Sequence, residues 1–290
     1  MLNLFRGECY KLRKHKPFYI CTLIGVCIAL MLYGTLFMVD NLEQMESQET
    51  QTDFSVTVSV NEETGSTDTP ESNSAGSTIP MSQQIGIIGV IEQMLSGSFV
   101  SFIMILFVCI FVIGEHSNGT VKNVVGKGYS RKTVFLSKLL ATEMAALLMT
   151  LIILGGTLLF GAFFFGKSGI QSLNWEDLAA FTGMHLLFAA ALTAIATLIG
   201  EITRSLAAGI PISLAVVMFS TSLTTGLDLL FQNLNLDWKP SDYWLLDLQT
   251  TALAEIVKQD FIIRGTVLSL AWLLAAVLLG MLHFNKTDIK

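Results

Sequence analysis

Long apolar segments separated by short polar ones make up most of the chain, and six of them are long enough, or nearly so, to cross a bilayer. They are Pro17–Val39, Gly97–Gly114, Met144–Phe165, Leu178–Gly200, Leu206–Leu227 and Ile263–Phe284. Only the second is short, and the apolar run from Ile85 to Leu95 would extend it. Pro211, in the fifth, is tolerated in a membrane helix. The pattern predicts an all-α membrane protein: one transmembrane domain, 1–290, with six transmembrane helices.

The polar segment between the first two spans is acidic. Residues 40–96 hold ten Asp and Glu and no Lys or Arg, and we assign 40–84 to an acidic extracellular loop. Within it, Asp53 to Val60 alternates polar and apolar residues as a short strand would. Asn61 to Pro80 is rich in Ser, Thr, Gly and Glu and is predicted to be mobile.

A second outer segment, 228–262, is amphipathic and precedes the last span. Its aromatic residues, Trp238, Tyr243 and Trp244, suit the membrane interface. Ser241 or Asp242 could cap a helix that runs to about Lys258, along which Leu246, Leu253 and Val257 recur at helical spacing. This helix either lies on the membrane surface or acts as a gate over a translocation path.

Composition and charge agree with a membrane protein and fix its orientation. Hydrophobic residues make up 52% of the chain and charged residues 14%, too apolar a mixture for a soluble domain. Of the 17 Lys and Arg residues, 13 fall on one side of the spans, which predicts cytoplasmic N- and C-termini. The net charge of −6 and its pattern exclude a nucleic-acid binder.

The N-terminal segment, residues 1–16, is predicted to be a helix at the membrane surface. Leu2, Phe5, Cys9 and Leu12 share one face, and Arg6 borders that apolar stripe. The cytoplasmic segments together hold about 45 residues, fewer than a domain needs. An ATPase, if this protein uses one, must therefore be another chain.

The loop after the second span, 115–132, predicts a short helix. Ser117 or Asn118 is a plausible N-cap, and Gly126 and Gly128 suit the end of a helix. Val121, Val124 and Val125 fall on one face between them. A helix of about two turns is marginal by itself, so we expect this valine face to dock into a groove of a partner.

This loop carries a family resemblance, in the run GEHSNGTVKNVVGKGYSRKTVFLSKLL. It resembles the cytoplasmic loop of ABC transporter type-2 permeases, in which a glutamate closes the second span and a short coupling helix follows. The matching residues are Glu115, Asn118, Gly119, Thr120, Lys122, Ser130 and Arg131. The N-terminal helix is similar to the family's elbow helix, and the aromatic segment before span six is similar to its outer re-entrant helices.

The resemblance implies the membrane subunit of an ATP-driven exporter in a bacterial cell membrane. Two separately encoded ATPase subunits would bind ATP and Mg, with no cofactor on this chain. A second copy or a similar permease would complete the complex. Within the family, the chain looks most like permeases that export amphipathic or antimicrobial peptides, and its acidic loop suits cationic cargo. Membrane lipids are further expected partners.

Two other functions remain open from the residues. One is a non-transporting membrane sensor or anchor whose acidic loop binds a ligand. The other is an intramembrane serine peptidase, since Gly166 to Gly169 matches a GxSG pattern around Ser168. His185 and His283 are poorly placed as its base. The Walker A pattern from Gly161 to Ser168 lacks the strand–loop–helix context of a phosphate site.

Few other residues indicate chemistry. Glu143 lies in apolar surroundings and is a candidate intramembrane polar group. No clustered His and Cys set indicates a metal site, and no catalytic residue is predicted.

Overall fold

The computed structural model describes residues 2–52, 81–96, 99–117, 119–120, 124, 126–171, 175–234, 238–255 and 259–286. The described elements are helices. They are α1 (Leu2–Lys14), α2 (Lys16–Thr52), α3 (Met81–Ser96), α4 (Phe99–Ser117), α5 (Arg131–Gln171), α6 (Trp175–Thr203), α7 (Leu206–Asn233), a 3-10 turn (Pro240–Tyr243), α8 (Leu245–Glu255) and α9 (Gln259–Lys286).

Six helices in the described part of the chain are long and apolar enough to span a membrane, which confirms the predicted all-α architecture. They are Lys16–Val39, Ile87–His116, Arg131–Gly166, Trp175–Thr203, Leu206–Asn233 and Asp260–Asn285. Several helices are longer than their apolar segments, since α2 continues to Thr52 and α5 begins at Arg131. Hydropathy marks the part of a helix inside the bilayer, whereas good helix formers such as Glu, Gln and Met continue it beyond.

The second and fourth spans form the centre of the bundle. About 69% of the most apolar part of span two is buried within the protein and 56% of span four, against 17–28% for the other spans. The outer helices present large apolar side chains to their surroundings, among them Met31 on α2, Leu159 on α5, Phe219 on α7 and Leu278 on α9. Such surfaces suit contact with lipid rather than water.

Helices α2 and α5 approach closely through glycines. A Cβ added at Gly25 would lie 2.5 Å from the side chain of Ile153, and one at Gly161 would lie 2.8 Å from the hydroxyl of Tyr33. Small residues let membrane helices pack backbone to backbone. This packing fixes span one, and with it the adjoining α1, against α5.

The two ends of the bundle differ in charge. We call the end that carries α1, the exposed residues 126–130 and Arg204 the basic end. The opposite end, which carries the first turn of α6 with Glu176 and Asp177 and the segment from Pro240 to Glu255, is called the acidic end.

At the acidic end, the predicted capping by Ser241 or Asp242 is wrong. Pro240 begins a 3-10 turn, which its fixed φ favours, and α8 starts only at Leu245. Ser241 instead accepts the backbone N–H of Trp244 with its carbonyl, at 3.3 Å.

Some predictions lie outside the described residues: the strand at 53–60, the mobile segment 61–80 and the side chains of the acidic 40–84 loop. The same holds for Asn118, Val121, Lys122 and Val125 of the predicted coupling helix and for the side chain of Leu2.

Candidate functional site

Six ionisable side chains from four helices meet at the basic end. We call them the buried ion cluster: Glu8 and Lys11 from α1, Glu115 and His116 from α4, Lys138 from α5 and Glu201 from α6. The cluster joins the N-terminal helix to both helices that flank the 118–130 loop. It is therefore the main concentration of buried charge among the described residues.

Glu115 lies between two lysines. Its Oε1 is 2.9 Å from Nζ of Lys11, and its Oε2 is 3.4 Å from Nζ of Lys138. The Lys11 ammonium also contacts Oε1 of Glu8 at 2.7 Å. The carboxylate of Glu115 thus links α1 to α5. Glu115 and Lys11 are 104 residues apart in the sequence.

Glu201 completes the cluster from α6 and is fully buried. Its Oε1 accepts a hydrogen bond from Lys138 at 2.9 Å, and its Oε2 is 2.7 Å from Nε2 of His116. Lys138 is only 2% exposed. A buried pair of this kind is costly to break, because the remaining charge has neither water nor a partner.

Local sequence places these side chains. Ser130 caps α5, since its hydroxyl accepts the backbone N–H of Thr133 at 3.3 Å, and Lys138 lies about two turns further on. Gly119 has a φ of +67° directly after α4, a conformation that favours glycine. Gly200 lets α6 approach α4, because an added Cβ would lie 3.0 Å from Val112.

Burial and neighbouring charges shift the pKa values of the ionisable groups of α1. Burial raises the pKa of Glu8 to about 7, and the nearby charge of Glu115 adds to this, although Lys11 opposes it. Burial lowers the pKa of Lys11, but the carboxylates of Glu115 and Glu8 outweigh it and leave the pKa above its usual value. Three carboxyl groups of the cluster thus share two ammonium groups and the imidazole of His116.

The structure places the predicted loop residues as follows. Glu115 is a member of the buried ion cluster, and Ser117 is the last residue of α4. Capping of a following helix by Ser117 or Asn118 stays a prediction. Arg131 begins α5 and donates to the backbone carbonyl of Asn285 at 3.3 Å. Thr120 is half-buried. A coupling role for these residues, and for Gly119 and Lys122, stays a prediction.

Val124 contacts the chain's own core. It is half-buried and packs against Val134, Phe135 and Phe284. The residues that follow it, 126–130, are exposed, Tyr129 among them. Docking of the valine face on a partner stays a prediction. In the described part of this loop, the exposed surface lies after Val124.

The predicted face of α1 is partly buried. Leu12 is 5% exposed, Phe5 is half-buried and Arg6 is exposed. A position at the membrane surface stays a prediction. The polar residues Glu8 and Lys11 form the ion pairs of this helix. The apolar pattern did not predict these ion pairs.

The remaining candidates lie apart from the cluster. Glu143 lies five residues beyond Lys138 on α5, a rise of about 7.5 Å, and both of its carboxylate oxygens are buried. His185 is 1% exposed and lies between the rings of Phe181 and Phe188. The side chain of Ser168 lies outside the described residues. Among the side chains that are described, no His, Cys, Asp and Glu group is arranged to hold a metal ion.

Lys138 and Glu201 were missed as site residues, although the sequence contains a signal for them. Each is a lone charge within or at the end of an apolar segment, in VFLSKLLA and TLIGEIT. Such charges are expensive in a membrane and usually have a partner or a function. The sequence does not indicate that these two pair with each other.

Comparison with protein families explains the architecture. The family described as ABC-2 family transporter protein matches residues 2–289, nearly the whole chain. The chain belongs to the ABC-2 transporter family. No curated protein matches it. Membership confirms the resemblance seen in the 115–131 loop, makes the chain a multi-pass membrane permease subunit, and implies an ABC ATPase as its partner.

Proposed function

We propose that this ABC-2 permease is the transmembrane half of a bacterial exporter driven by a separately encoded ATPase pair. The basic end would face the cytoplasm, with both termini there, and ATP and Mg would bind to the ATPases. The buried ion cluster carries the proposal. It joins α1, α4, α5 and α6 directly behind the loop that the family resemblance assigns to ATPase contact.

The cluster suits the transmission of motion. A contact passes on a conformational change only if its energy differs between the two states. Buried ion pairs meet this condition, because separating them exposes a charge to an apolar environment at a cost of several kcal/mol. Movement of the 118–130 loop would therefore carry α4 and α5 together, and Glu201 would draw α6 with them.

The exposed residues 126–130 are the surface we assign to the ATPase. Lys127 and Tyr129 offer a positive charge and an aromatic ring, and aromatic residues are enriched in protein interfaces. Val124 packs on its own chain, so a charge there would also disturb the permease. Variants of Lys127 and Tyr129 are therefore the cleaner test.

The decisive experiment is co-purification from the native host. A tagged permease is solubilised in mild detergent and its partners are identified by mass spectrometry. We expect a chain with a Walker A motif in stoichiometric amount, lost from Lys127→Glu with Tyr129→Ala and kept in Tyr243→Ala, an exposed aromatic at the acidic end. A stable permease without any ATPase would contradict the proposal and favour the membrane sensor.

We further propose that the permease works as a pair, with a second copy or a similar permease, and moves amphipathic peptides out of the cell or membrane. An open apolar groove of about 600 Å³ between α2, α4 and α7 supports apolar cargo, and Phe102, Ile103 and Met218 are among its lining residues. Its size lies in the range of small-ligand sites. The acidic residues of 40–84 favour cationic peptides.

Cell survival tests the cargo. Cells that produce the permease with its ATPase should grow at severalfold higher concentrations of cationic amphipathic peptides than cells with the empty vector. Glu115→Gln should remove this protection, because it takes away the carboxylate charge that pairs with Lys11 and Lys138. The amount of membrane-inserted protein should not fall. Unchanged sensitivity across such peptides would direct the search to lipids or drugs.

A further inference from the structure

Gln249 of α8 forms a buried polar contact at the acidic end. Its side chain is 3% exposed. The amide Nε2 donates to the backbone carbonyl of Leu95 at 2.6 Å, and Oε1 accepts the hydroxyl of Ser101 at 3.0 Å. Leu95 lies in the last turn of α3 and Ser101 in the first turn of α4. One side chain therefore holds α8 to both helices of span two.

The surroundings make this contact strong. Ser101 is fully buried, and around Gln249 on α8 so are Leu245, Leu246, Leu248 and Ala252. An amide in such an environment cannot exchange its partners for water, so the loss of one leaves an unsatisfied group. Carbonyls in the last turn of a helix are also those that lack a partner within the helix. Gln249 satisfies one of them.

The opposite end of α4 lies in the buried ion cluster, through Glu115 and His116. Between the two ends, Phe107, Val108 and Cys109 are fully buried. A helix of 19 residues is about 28 Å long. If α4 bends little over this length, a displacement of its basic end moves Ser101 by a similar distance.

The other polar contacts of α8 and its 3-10 turn lead elsewhere. Asp247 accepts the hydroxyl of Thr224 on α7 at 2.6 Å, and the carbonyl of Tyr243 accepts the indole N–H of Trp272 on α9 at 3.1 Å. Neither α7 nor α9 contributes a residue to the buried ion cluster. Among the contacts of the described residues, Gln249 thus provides the hydrogen-bonded route from α8 to a helix of the cluster.

We propose that Gln249 is a positioning residue that makes α8 follow α4, so that ATPase-driven movement at the basic end displaces the segment over the acidic end. This inference rests on the proposed function, since it needs an ATPase to drive the movement. It assigns the movement of α8 to one amide rather than to the general packing of the bundle.

The test measures the exposure of α8 in the permease–ATPase complex in lipid nanodiscs. The four native cysteines are replaced, and Thr250→Cys, at an exposed position of α8, is labelled with a thiol reagent. We expect ATP with vanadate to change the labelling rate about fivefold or more, the scale of an ordinary coupling energy. Adding Gln249→Met, which keeps the length but removes both hydrogen bonds, should abolish this change while ATP hydrolysis persists.

Two matched variants sharpen the result. Ser101→Ala removes one of the two hydrogen bonds and should give an intermediate change in labelling. Thr251→Val is on the same helix, and its hydroxyl donates only to the carbonyls of Asp247 and Leu248. It should behave as the parent. If Gln249→Met does not fold, Ser101→Ala against Thr251→Val decides the question.

The outcomes separate the two proposals. A full nucleotide response in Gln249→Met, or in Ser101→Ala if only that variant folds, would overturn the role of Gln249. So would an active complex in which the labelling of Thr250→Cys never responds to nucleotide. Failure of the proposed function looks different, because then no ATPase joins the parent permease and no ATP hydrolysis is measured.

Discussion

The two ends of α4 are anchored by different chemistry. At the basic end, Glu115 and His116 join lysine and glutamate side chains from three other helices. At the acidic end, Ser101 contacts a neutral amide from a single helix. In a charged cluster, removing the partner of a buried charge can leave that charge uncompensated, at a cost of several kcal/mol. A neutral contact can be lost one hydrogen bond at a time, at about 1 kcal/mol each.

The largest expected effect comes from breaking the charged anchor. Glu201→Leu leaves Lys138 buried without its nearest carboxylate, and we expect it to lower the free energy of unfolding by about 3–5 kcal/mol. Thermal unfolding in detergent measures the loss.

Removing both charges is the control for that variant. Glu201→Leu with Lys138→Met replaces the pair by apolar side chains of similar size, and it should recover most of the stability. It should not restore peptide protection. A single variant as stable as the parent would show that water reaches Lys138 and that the cluster is not a buried anchor.

The next effect depends on pH. The pKa of Glu8 is about 7 in the folded protein, against 4.5 for an unperturbed glutamate. Between these values the unfolded chain releases the proton and the folded protein keeps it. The stabilisation is therefore complete below about pH 4.5 and is lost as the pH rises through 7, by about 3 kcal/mol at about 1.4 kcal/mol per pKa unit. Glu8→Gln should flatten this part of the melting-temperature profile; a profile like the parent's would exclude Glu8 as the group responsible.

A smaller effect is expected from the contacts of the acidic end. Thr224→Val removes the hydroxyl that donates to Asp247, and we expect a loss of about 1 kcal/mol in the free energy of unfolding. Thr225→Val is the control, since its exposed hydroxyl donates only to the carbonyl of Thr221. Equal melting temperatures for the two variants would show that the hydrogen bond from Thr224 to Asp247 contributes no net stability.

The smallest effect concerns an exposed ion pair at the same end. Arg264 and Asp242 are 3.7 Å apart and each is nearly half exposed. Asp242→Asn should cost less than about 0.5 kcal/mol, because water screens such pairs. A loss as large as that of Glu201→Leu would mean that burial does not determine how much these two ion pairs contribute to stability.

The sequence predicted the parts of this molecule that depend on local pattern. Apolar length predicted six spans and the distribution of Lys and Arg predicted two unlike ends, while the loop residues around Glu115 indicated the family. Each span and the loop motif lie within about 25 neighbouring residues, and the Lys and Arg distribution needs only the order of the spans along the chain. Ser130, matched as a loop residue, has a local role too, as the cap of α5.

The contacts between distant residues could not be predicted in this way. Lys138 and Glu201 are 63 residues apart, and Gln249 and Leu95 are 154 apart. In a membrane protein, the lipid-facing side of a helix is as apolar as its packed side. The pattern therefore indicates where helices are, but gives little information on which of them are neighbours.

The buried ion cluster also has a consequence for synthesis. Glu8 and Lys11 leave the ribosome first, whereas Glu201 follows about 190 residues later. Chain growth takes seconds at ordinary rates of about 5–20 residues per second, so Lys138 enters the bilayer region well before its carboxylate partner exists. Until α6 arrives, that lysine has to stay hydrated or paired with Glu115 alone. The fourth span therefore strengthens the packing of the first three, and a chain truncated before Glu201 should keep the Glu115 contacts to Lys11 and Lys138 but lack the buried partner of Lys138.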